Sequence, residues 1–417
     1  MTPTLPLALY GAATRLLEPL APGVLRGRAR RGKEDAARLG ERLGRPTVPR
    51  PDGPLVWLHG VSVGETTSLL PLIAALRARR PELALLVTSG TATAAALLAR
   101  RLPAEVIHQF APVDAPGAVR RFLGHWRPDA GVLVESELWP NLILGARARG
   151  VRLALVSARM TEASARRWAQ WPASARTVVR AFDLVLPQDE ATGARLSALG
   201  ASPGPRLNLK LVGDPLPADA AELERLRKAV GGHRVVLAAS THPGEEDLIA
   251  RAFHQAAPDL GEALLVVAPR HPERGPALAE QLAATRRGAG ELPTGGVHVA
   301  DTLGELGLFF RLADIVVMGG GFAPGVGGHN PLEPARIGRP ILTGPHVFNA
   351  AEAYAGLFAE GAAIAAADAD ALARHLRGLL DHPRIARRMG EAAFAYADRQ
   401  GAALDEAYRL LQPLLPA

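Results

Sequence analysis

A strand, turn and helix pattern that runs, halts and starts again is what most limits the folds open to this chain. From Pro54 the apolar run "PLVWLHG" leads into "GETTSLLPLIAALRAR", "LALLVTSG" into "TATAAALLARR", and "DAGVLVES" into "ELWPNLILGARARG", with "VRLALVSAR" and "DLVLPQD" following. Near-continuous apolar strands alternating with helices belong to a parallel sheet covered on both faces. The series stops at "GPRLNLKLVGDPLPADA", dense in Pro and Gly, then resumes with "HRVVLAAS", "EALLVVAPRH", "GVHVAD" and "DIVVMGG". The pattern predicts an α/β protein of two doubly wound, Rossmann-like domains, residues 51–212 and 213–417, facing across a cleft. A chain of 417 residues is long for one core and comfortable for two. In such sheets ligands sit beyond the carboxyl ends of the strands.

Residues 1–50 form a separate segment. "LPLALYGAATRLLEPLAPGVL" is apolar, but Arg15 and Glu18 interrupt it and Pro6, Pro19 and Pro22 break it, so it lacks the uncharged run of about 20 residues that a spanning helix needs. Its basic residues follow the apolar part, the reverse of a cleaved signal. Leu5, Leu7, Leu9, Tyr10, Leu16, Leu17 and Leu20 ahead of Arg26, Arg28, Arg30, Arg31 and Lys33 read as an interfacial anchor with a basic patch for anionic lipid. The plain alternative is a helix packed on the domain with a solvated charge run after it. A net charge of +7 points to anionic partners, and the scarcity of aromatics argues against nucleic acid. With no cysteine, disulfides, thiolate chemistry and a Cys-based zinc site are excluded.

The strand ends carry the candidate chemistry. Ser62 and Glu65 in "WLHGVSVGET" have the spacing of a capping box, while Glu65 at a strand end also suits a general base. "LVESELWPN" puts Glu135 at another strand end, with Glu137 and Trp139 starting the next helix. Carboxylates at adjacent strand ends repel unless they hold a hydroxyl or a proton; otherwise they are solvated loop acids. In the second half, capping accounts for Ser240 and Thr241 ahead of Glu245, Glu246 and Asp247. Arg270, between Pro269 and His271 after a buried strand, suits a phosphate. The loop Leu303, Gly304, Glu305 offers backbone groups to a base edge. Asn330, Pro331, Leu332 and Glu333 fit N-cap, N1, N2 and N3 of a helix, and Gly319, Gly320, Gly321, Gly325, Gly327 and Gly328 precede it. Free N–H groups beside a helix start make a phosphate seat, with Glu333 available for ribose hydroxyls. The glycines match neither GxGxxG nor the Walker spacing, which favours a nucleotide-sugar.

"WLHGVSVGET", "ESELWPNLI", "SARMTEAS", "STHPGEED", "APRHPER", "DTLGEL" and "GGHNPLEPARIGRPILTGPHVFN" occur in this order, and the chain resembles the Kdo transferases, which add 3-deoxy-D-manno-octulosonic acid to lipid A precursors. That resemblance implies a GT-B glycosyltransferase, inverting and independent of metal or other cofactor, using CMP-Kdo on the cytoplasmic face of the inner membrane. It implies that Glu65 accepts the proton, that Glu135 and Lys210 stabilise the transition state, and that Pro269, Arg270, Leu303 to Glu305 and Asn330 to Glu333 contact CMP. Lys210 stands in Leu207-Asn208-Leu209-Lys210-Leu211-Val212, where the family has Gly-Asn-x-Lys-Phe-Asp. Competing readings are another GT-B lipid glycosyltransferase, a UDP-sugar 2-epimerase, or a non-catalytic peripheral membrane protein that binds nucleotide or lipid.

Overall fold

The computed structural model describes residues 4–135, 138–257 and 263–416. It divides into Met1–Val212 with Ala402–Ala417, and Gly213–Gly401. The first unit holds six parallel strands: β1 (Leu55–His59), β2 (Ala84–Ser89), β3 (Ile107–Phe110), β4 (Ala130–Val134), β5 (Arg152–Ala158) and β6 (Leu184–Pro187). Their order, β3-β2-β1-β4-β5-β6, reverses direction between β1 and β4. Ligands of doubly wound sheets bind at that reversal. All five β1 residues are buried, Leu55 and Trp57 in the core on one face and Val56 and Leu58 in the core on the other, which is why the run reads as unbroken rather than alternating.

The second unit holds β7 (Arg234–Thr241), β8 (Ala263–Pro269), β9 (Thr285–Arg286), β10 (Gly296–Val299), β11 (Ile315–Met318), β12 (Ile341–Thr343) and β13 (Ala363–Ala365). Their order is β13-β12-β11-β7-β8-β10-β9, so the reversal here falls between β7 and β11. Both sheets slip register once near a carboxyl end, between Leu155 and Ala158 and between Ala239 and Thr241. Ser157 (φ 50°) and Ser240 (φ 57°) sit at the slips in left-handed conformation, which costs a residue with a Cβ about 1–2 kcal/mol.

Two expectations are revised. The last residues do not stay with the C-terminal unit: Ala407, Tyr408, Leu411 and Leu414 pack with Val56 and Leu58 in the first core, while the helix Pro383–Leu411 carries the chain there unbroken. Nor is the N-terminal segment a detached piece. It forms α1 (Leu5–Leu17) and α2 (Ala21–Arg30), and Pro19 and Pro22 occupy opening turns, where a missing N–H costs nothing, rather than breaks. Tyr10 Oη donates to Asp114 (2.9 Å), Asn141 Nδ2 to Thr14 (3.0 Å) and the Gly117 N–H to Glu18 (2.8 Å), so one face of α1 is docked on the domain. The other face leaves Leu5, Leu9, Leu16, Leu17 and Leu20 more than half exposed. No helix of the described residues is long and apolar enough to cross a membrane.

Four histidines are held neutral. Burial, reinforced by the charge of Arg42, lowers His59 to about 4; His108, His298 and His329 fall to about 4 with burial again the leading cause. Below pH 6.5 the unfolded chain binds these protons and the folded chain does not. Their contribution is therefore complete above about pH 6.5 and is lost as pH falls towards 4. For the fully buried His59 that is on the order of 3 kcal/mol. Asp114 and Glu333, raised by burial, oppose the trend. The melting temperature should fall steeply between pH 6.5 and 4, and a flat profile across that window would contradict the assignment.

Candidate active site

Glu65, Glu135 and Lys210 come together on the first sheet. Glu65 follows β1 in the first turn of the helix Val63–Arg79, and Glu135 directly follows β4, so the two flank the reversal. Gly60 leaves room for Glu65 against the end of β4: a Cβ there would stand 3.1 Å from both Glu65 Cβ and Val134 Cγ2. Ser62 is the N-cap that the spacing predicts, but the Glu65 carboxylate takes the N–H of Val61 and the hydroxyl of Ser62 rather than the Ser62 N–H of a standard capping box. Glu65 Oε2 accepts the Val61 N–H (2.7 Å), its Oε1 accepts the Ser62 hydroxyl (2.8 Å), and its own N–H reaches Ser62 Oγ (3.4 Å). Each oxygen keeps a further lone pair, so cap and base are compatible.

Glu135 is mostly buried and left-handed (φ 59°), a strained state for a residue with a Cβ and one that clusters at functional sites. Its Oε1 lies 2.5 Å from Lys210 Nζ. The slip at Ser157 helps to place that lysine, because Ser157 Oγ accepts the Leu209 N–H (3.3 Å) while Leu207, Leu209 and Leu211 bury into the core. Asn208 accepts the Lys210 N–H (3.0 Å), and the Lys210 stem passes 4.0 Å from where a Gly64 Cβ would be. The ion pair forms although Leu211 and Val212 replace the Phe-Asp expected after the lysine. Glu137 lies outside the described residues.

In the second unit Arg270 is exposed just past β8. Its charge reaches Glu333, which burial pushes up and Arg336, Arg270 and Asn330 pull back, and His329 as well. Pro269, Arg270, Asn330 and Glu333 therefore share one electrostatic neighbourhood beyond the sheet. Two expectations change here. The helix after Asn330 is one turn, Leu332–Ala335, with Pro331 rather than Asn330 at the N-cap; Asn330 Oδ1 accepts the Leu332 N–H (3.1 Å). So short a helix supplies little dipole, and the weight of anion binding falls on side chains. The glycine N–H groups are also partly spent. Gly319 donates to Ala239, Gly328 to Gly320, and Gly320 to the carboxylate of Glu245.

That carboxylate was not legible as anything beyond a cap. Glu245, 2% exposed, accepts four backbone N–H groups: Gly320 (2.7 Å) and His242 (2.9 Å) on Oε2, Phe322 (2.9 Å) and Ala323 (3.1 Å) on Oε1. It ties the turn after β7 to the loop after β11 across the second reversal. Ser240 and Thr241 cap nothing; the N-cap is Gly244, and Thr241 bonds Glu246 (2.8 Å), which also pairs with Arg274 (2.6 Å). His242 and His329, also missed, join Nε2 to Nε2 at 2.9 Å. The loop Leu303 to Glu305 is held by Arg287, which grips Glu305 at 3.0 and 2.6 Å and keeps its carboxyl below the usual range, leaving Leu303 exposed.

Comparison with known proteins bears on this arrangement. Residues 37–213 match the family model for 3-deoxy-D-manno-octulosonic-acid transferase (kdotransferase). The chain is 32% identical over 420 residues to the 3-deoxy-D-manno-octulosonic acid transferase of Rickettsia bellii (strain RML369-C), covering 98% of this chain and 100% of that one. It is 38% identical over 417 residues to the enzyme so named from Bordetella pertussis, covering 93% and 94%. Among solved structures, UDP-GlcNAc 2-epimerase from Neisseria meningitidis bound to UDP-GlcNAc shares the fold at 14% identity, with a TM-score of 0.57 over 87% of this chain and 100% of that one.

Proposed function

The chain belongs to the 3-deoxy-D-manno-octulosonic acid (Kdo) transferase family and is a GT-B glycosyltransferase that transfers Kdo, and from that premise we propose that its donor is CMP-Kdo and its acceptor the lipid A precursor lipid IVA. The observation that carries the reading is the cluster at the first reversal: a carboxylate with spare lone pairs, Glu65, beside a buried carboxylate already neutralised by a lysine, Glu135 with Lys210. Glu65 takes the proton of an acceptor hydroxyl as that oxygen attacks the anomeric carbon of Kdo. The bond from that carbon to the phosphate oxygen breaks and CMP leaves with the electron pair. Lys210 and Glu135 form a fixed dipole for the charge that develops. Arg270 holds the CMP phosphate, Glu333 the ribose hydroxyls, and Pro269, Asn330 to Leu332 and the Leu303 to Glu305 loop frame the nucleotide. The test is mass analysis of lipid IVA after incubation with CMP-Kdo and the protein; an acceptor of unchanged mass would sink the reading.

The donor half has its own test. Arg270→Ala should weaken CMP binding by about 1.5–3 kcal/mol, the scale of a charge-assisted hydrogen bond. Calorimetry in excess EDTA should give wild-type affinity, since positioned side chains rather than a divalent ion hold the phosphate in this reading. Binding lost in EDTA, or equal affinity in the mutant, would refute it.

We also place the protein on the cytoplasmic face of the inner membrane, lying on it through the outward leucines of α1 and the basic residues of α2. Because α1 is docked by hydrogen bonds, deleting it would damage the domain, and a milder change is the right test. Replacing Leu5, Leu9 and Leu16 together with Gln should leave the melting temperature within about 3 °C, since all three side chains are mostly exposed. It should release the protein from anionic vesicles in a flotation assay. Unaltered flotation would refute the placement.

A further inference from the structure

The turn at residues 302–305, which frames the nucleotide in the reading above, is held more firmly than an exposed turn requires. Leu303 and Gly304 make its corner. Both are exposed, and among the described residues no hydrogen bond takes up their N–H or C=O groups. Gly304 has a φ of 85°, that of the third residue in a type II turn. The two shoulders of this turn are tied to consecutive arginines, Arg286 at the end of β9 and Arg287 just after it. On one side Asp301, its side chain 4% exposed, accepts from Arg286 Nη1 (3.2 Å) and from the Gly288 N–H (2.6 Å). On the other side Glu305 accepts from Arg287 Nε (3.0 Å) and Nη2 (2.6 Å), and from the Thr302 hydroxyl as well. Arg287 is fixed in turn, because its Nη1 lies 2.6 Å from Glu222 of the helix Ala220–Val230. A two-pronged contact of this kind sets geometry as well as adding energy.

The chemistry of a pyrimidine gives that geometry a use. Cytosine presents an amino donor at the position where uracil presents a carbonyl acceptor. A backbone C=O facing it suits cytosine and repels uracil, and an N–H does the reverse. Hydrogen bonds weaken steeply with distance and angle, so backbone groups discriminate between the two bases only while they are held in place. Glycine by itself leaves the corner peptide free to turn either way round. We propose that Arg287 is a positioning residue that makes this turn selective for cytosine over uracil, by holding Glu305 and with it the backbone groups of Leu303 and Gly304 at a fixed place beside the base. This role rests on the donor reading above and adds to it what makes the loop choose a base. Arg287 touches no ligand; it acts through Glu305, while Arg286 steadies the other shoulder through Asp301.

The test is calorimetric titration of the full chain with CMP and with UMP, read as the ratio of the two affinities. The wild type should bind CMP about tenfold or more tightly than UMP, the worth of one hydrogen bond made to the right base and left unmade to the wrong one. Arg287→Ala should weaken CMP by about that factor and leave UMP nearly unchanged, so the preference collapses. Arg287→Lys keeps a charge but loses the fork, and should fall between the two; it decides the matter if the alanine variant does not fold. Arg270→Ala is the contrast, because it should weaken both nucleotides alike through the phosphate they share. Gly304→Ala approaches the turn from the other end. Nothing stands within 4 Å of a Cβ there, but alanine resists the left-handed φ, so the corner peptide should turn over and the preference be lost with Arg287 intact. In the transfer reaction Arg287→Ala should raise the donor KM and leave the acceptor KM unchanged. If Gly304→Ala loses the preference while both Arg287 variants keep it, the turn reads the base unaided and this inference falls alone. If Gly304→Ala keeps the preference, or the wild type binds CMP and UMP equally, the turn is not the reader and the proposal is overturned. A wild type that binds neither nucleotide sinks the donor reading itself.

Discussion

Glu65→Gln is expected to melt within about 2 °C of the wild type, bind CMP normally and lose roughly 100-fold or more in Kdo transfer, the usual contribution of a positioned general base. The substitution separates two roles that the structure superimposes. As a cap, Glu65 accepts from the Val61 N–H and the Ser62 hydroxyl. Glutamine can keep both contacts, its oxygen taking the N–H and its amide donating to Ser62 Oγ. What an amide cannot do is accept the acceptor's proton. Glu65→Ala is the control, because it loses the base and also a cap worth about 1 kcal/mol. Near-normal turnover by Glu65→Gln would reduce Glu65 to a cap. Glu135 is a poor substitute base, since its Oε1 already holds Lys210 Nζ at 2.5 Å and an attacking hydroxyl would have to displace that contact.

The second large effect is expected at a residue that touches no proposed ligand. Glu245→Ala removes the acceptor of four backbone N–H groups at once. A buried donor left without a partner costs about 1–3 kcal/mol. Relaxation and water entry would recover part of this, so a loss of about 4 kcal/mol is expected, or a fall of about 10 °C in the melting of a unit this size. Glu245→Gln should lose about half as much: the shape is kept, but an NH2 group then faces N–H donors. Both variants should weaken CMP more than their stability loss explains, because the loop they free runs from Gly319 towards Asn330. Urea unfolding followed by CMP titration checks both parts. A Glu245→Ala protein that melts within 2 °C of wild type would show that the loop holds itself.

Periodicity is strong in this sequence, and it made both sheets readable. A strand buried on both faces leaves a run such as Leu55 to His59 that few other elements produce, and its end then marks where to look for carboxylates and arginines. Glu65, Glu135 and Arg270 are singled out that way, and the structure does place each of them just past a strand. What stayed hidden was long-range. Glu245 has the local signature of an ordinary first-turn acid, and nothing near it announces partners some 75 residues on, at Gly320. Ser157 and Ser240 adopt a conformation that serine seldom takes, so the register slips that place Lys210 and shape the turn before His242 leave no trace in residue type. The short helix at Leu332 was overestimated because Asn-Pro-x-Glu is a sound start signal, and a start signal does not set length. Arg28 was read as part of a charge run and Arg42 was not singled out, since only the fold brings both to the carboxylate of Glu34.

The return of the C-terminus to the first core has a consequence for the order in which the molecule is made. Val56 and Leu58 are synthesised early, but Tyr408, Leu411 and Leu414, which cover that face of their sheet, leave the ribosome only after the whole second unit. Leu69, Leu72, Ile73 and Leu76 of the helix Val63–Arg79 cover much of that face from the start, but the domain translated first must wait with the rest of it uncovered, a state prone to aggregation, while the second, contiguous from Gly213 to Gly401, can close at once. Folding then runs against the direction of translation, and a ribosome stalled near Gly401 would release a chain whose second domain is finished and whose first is not.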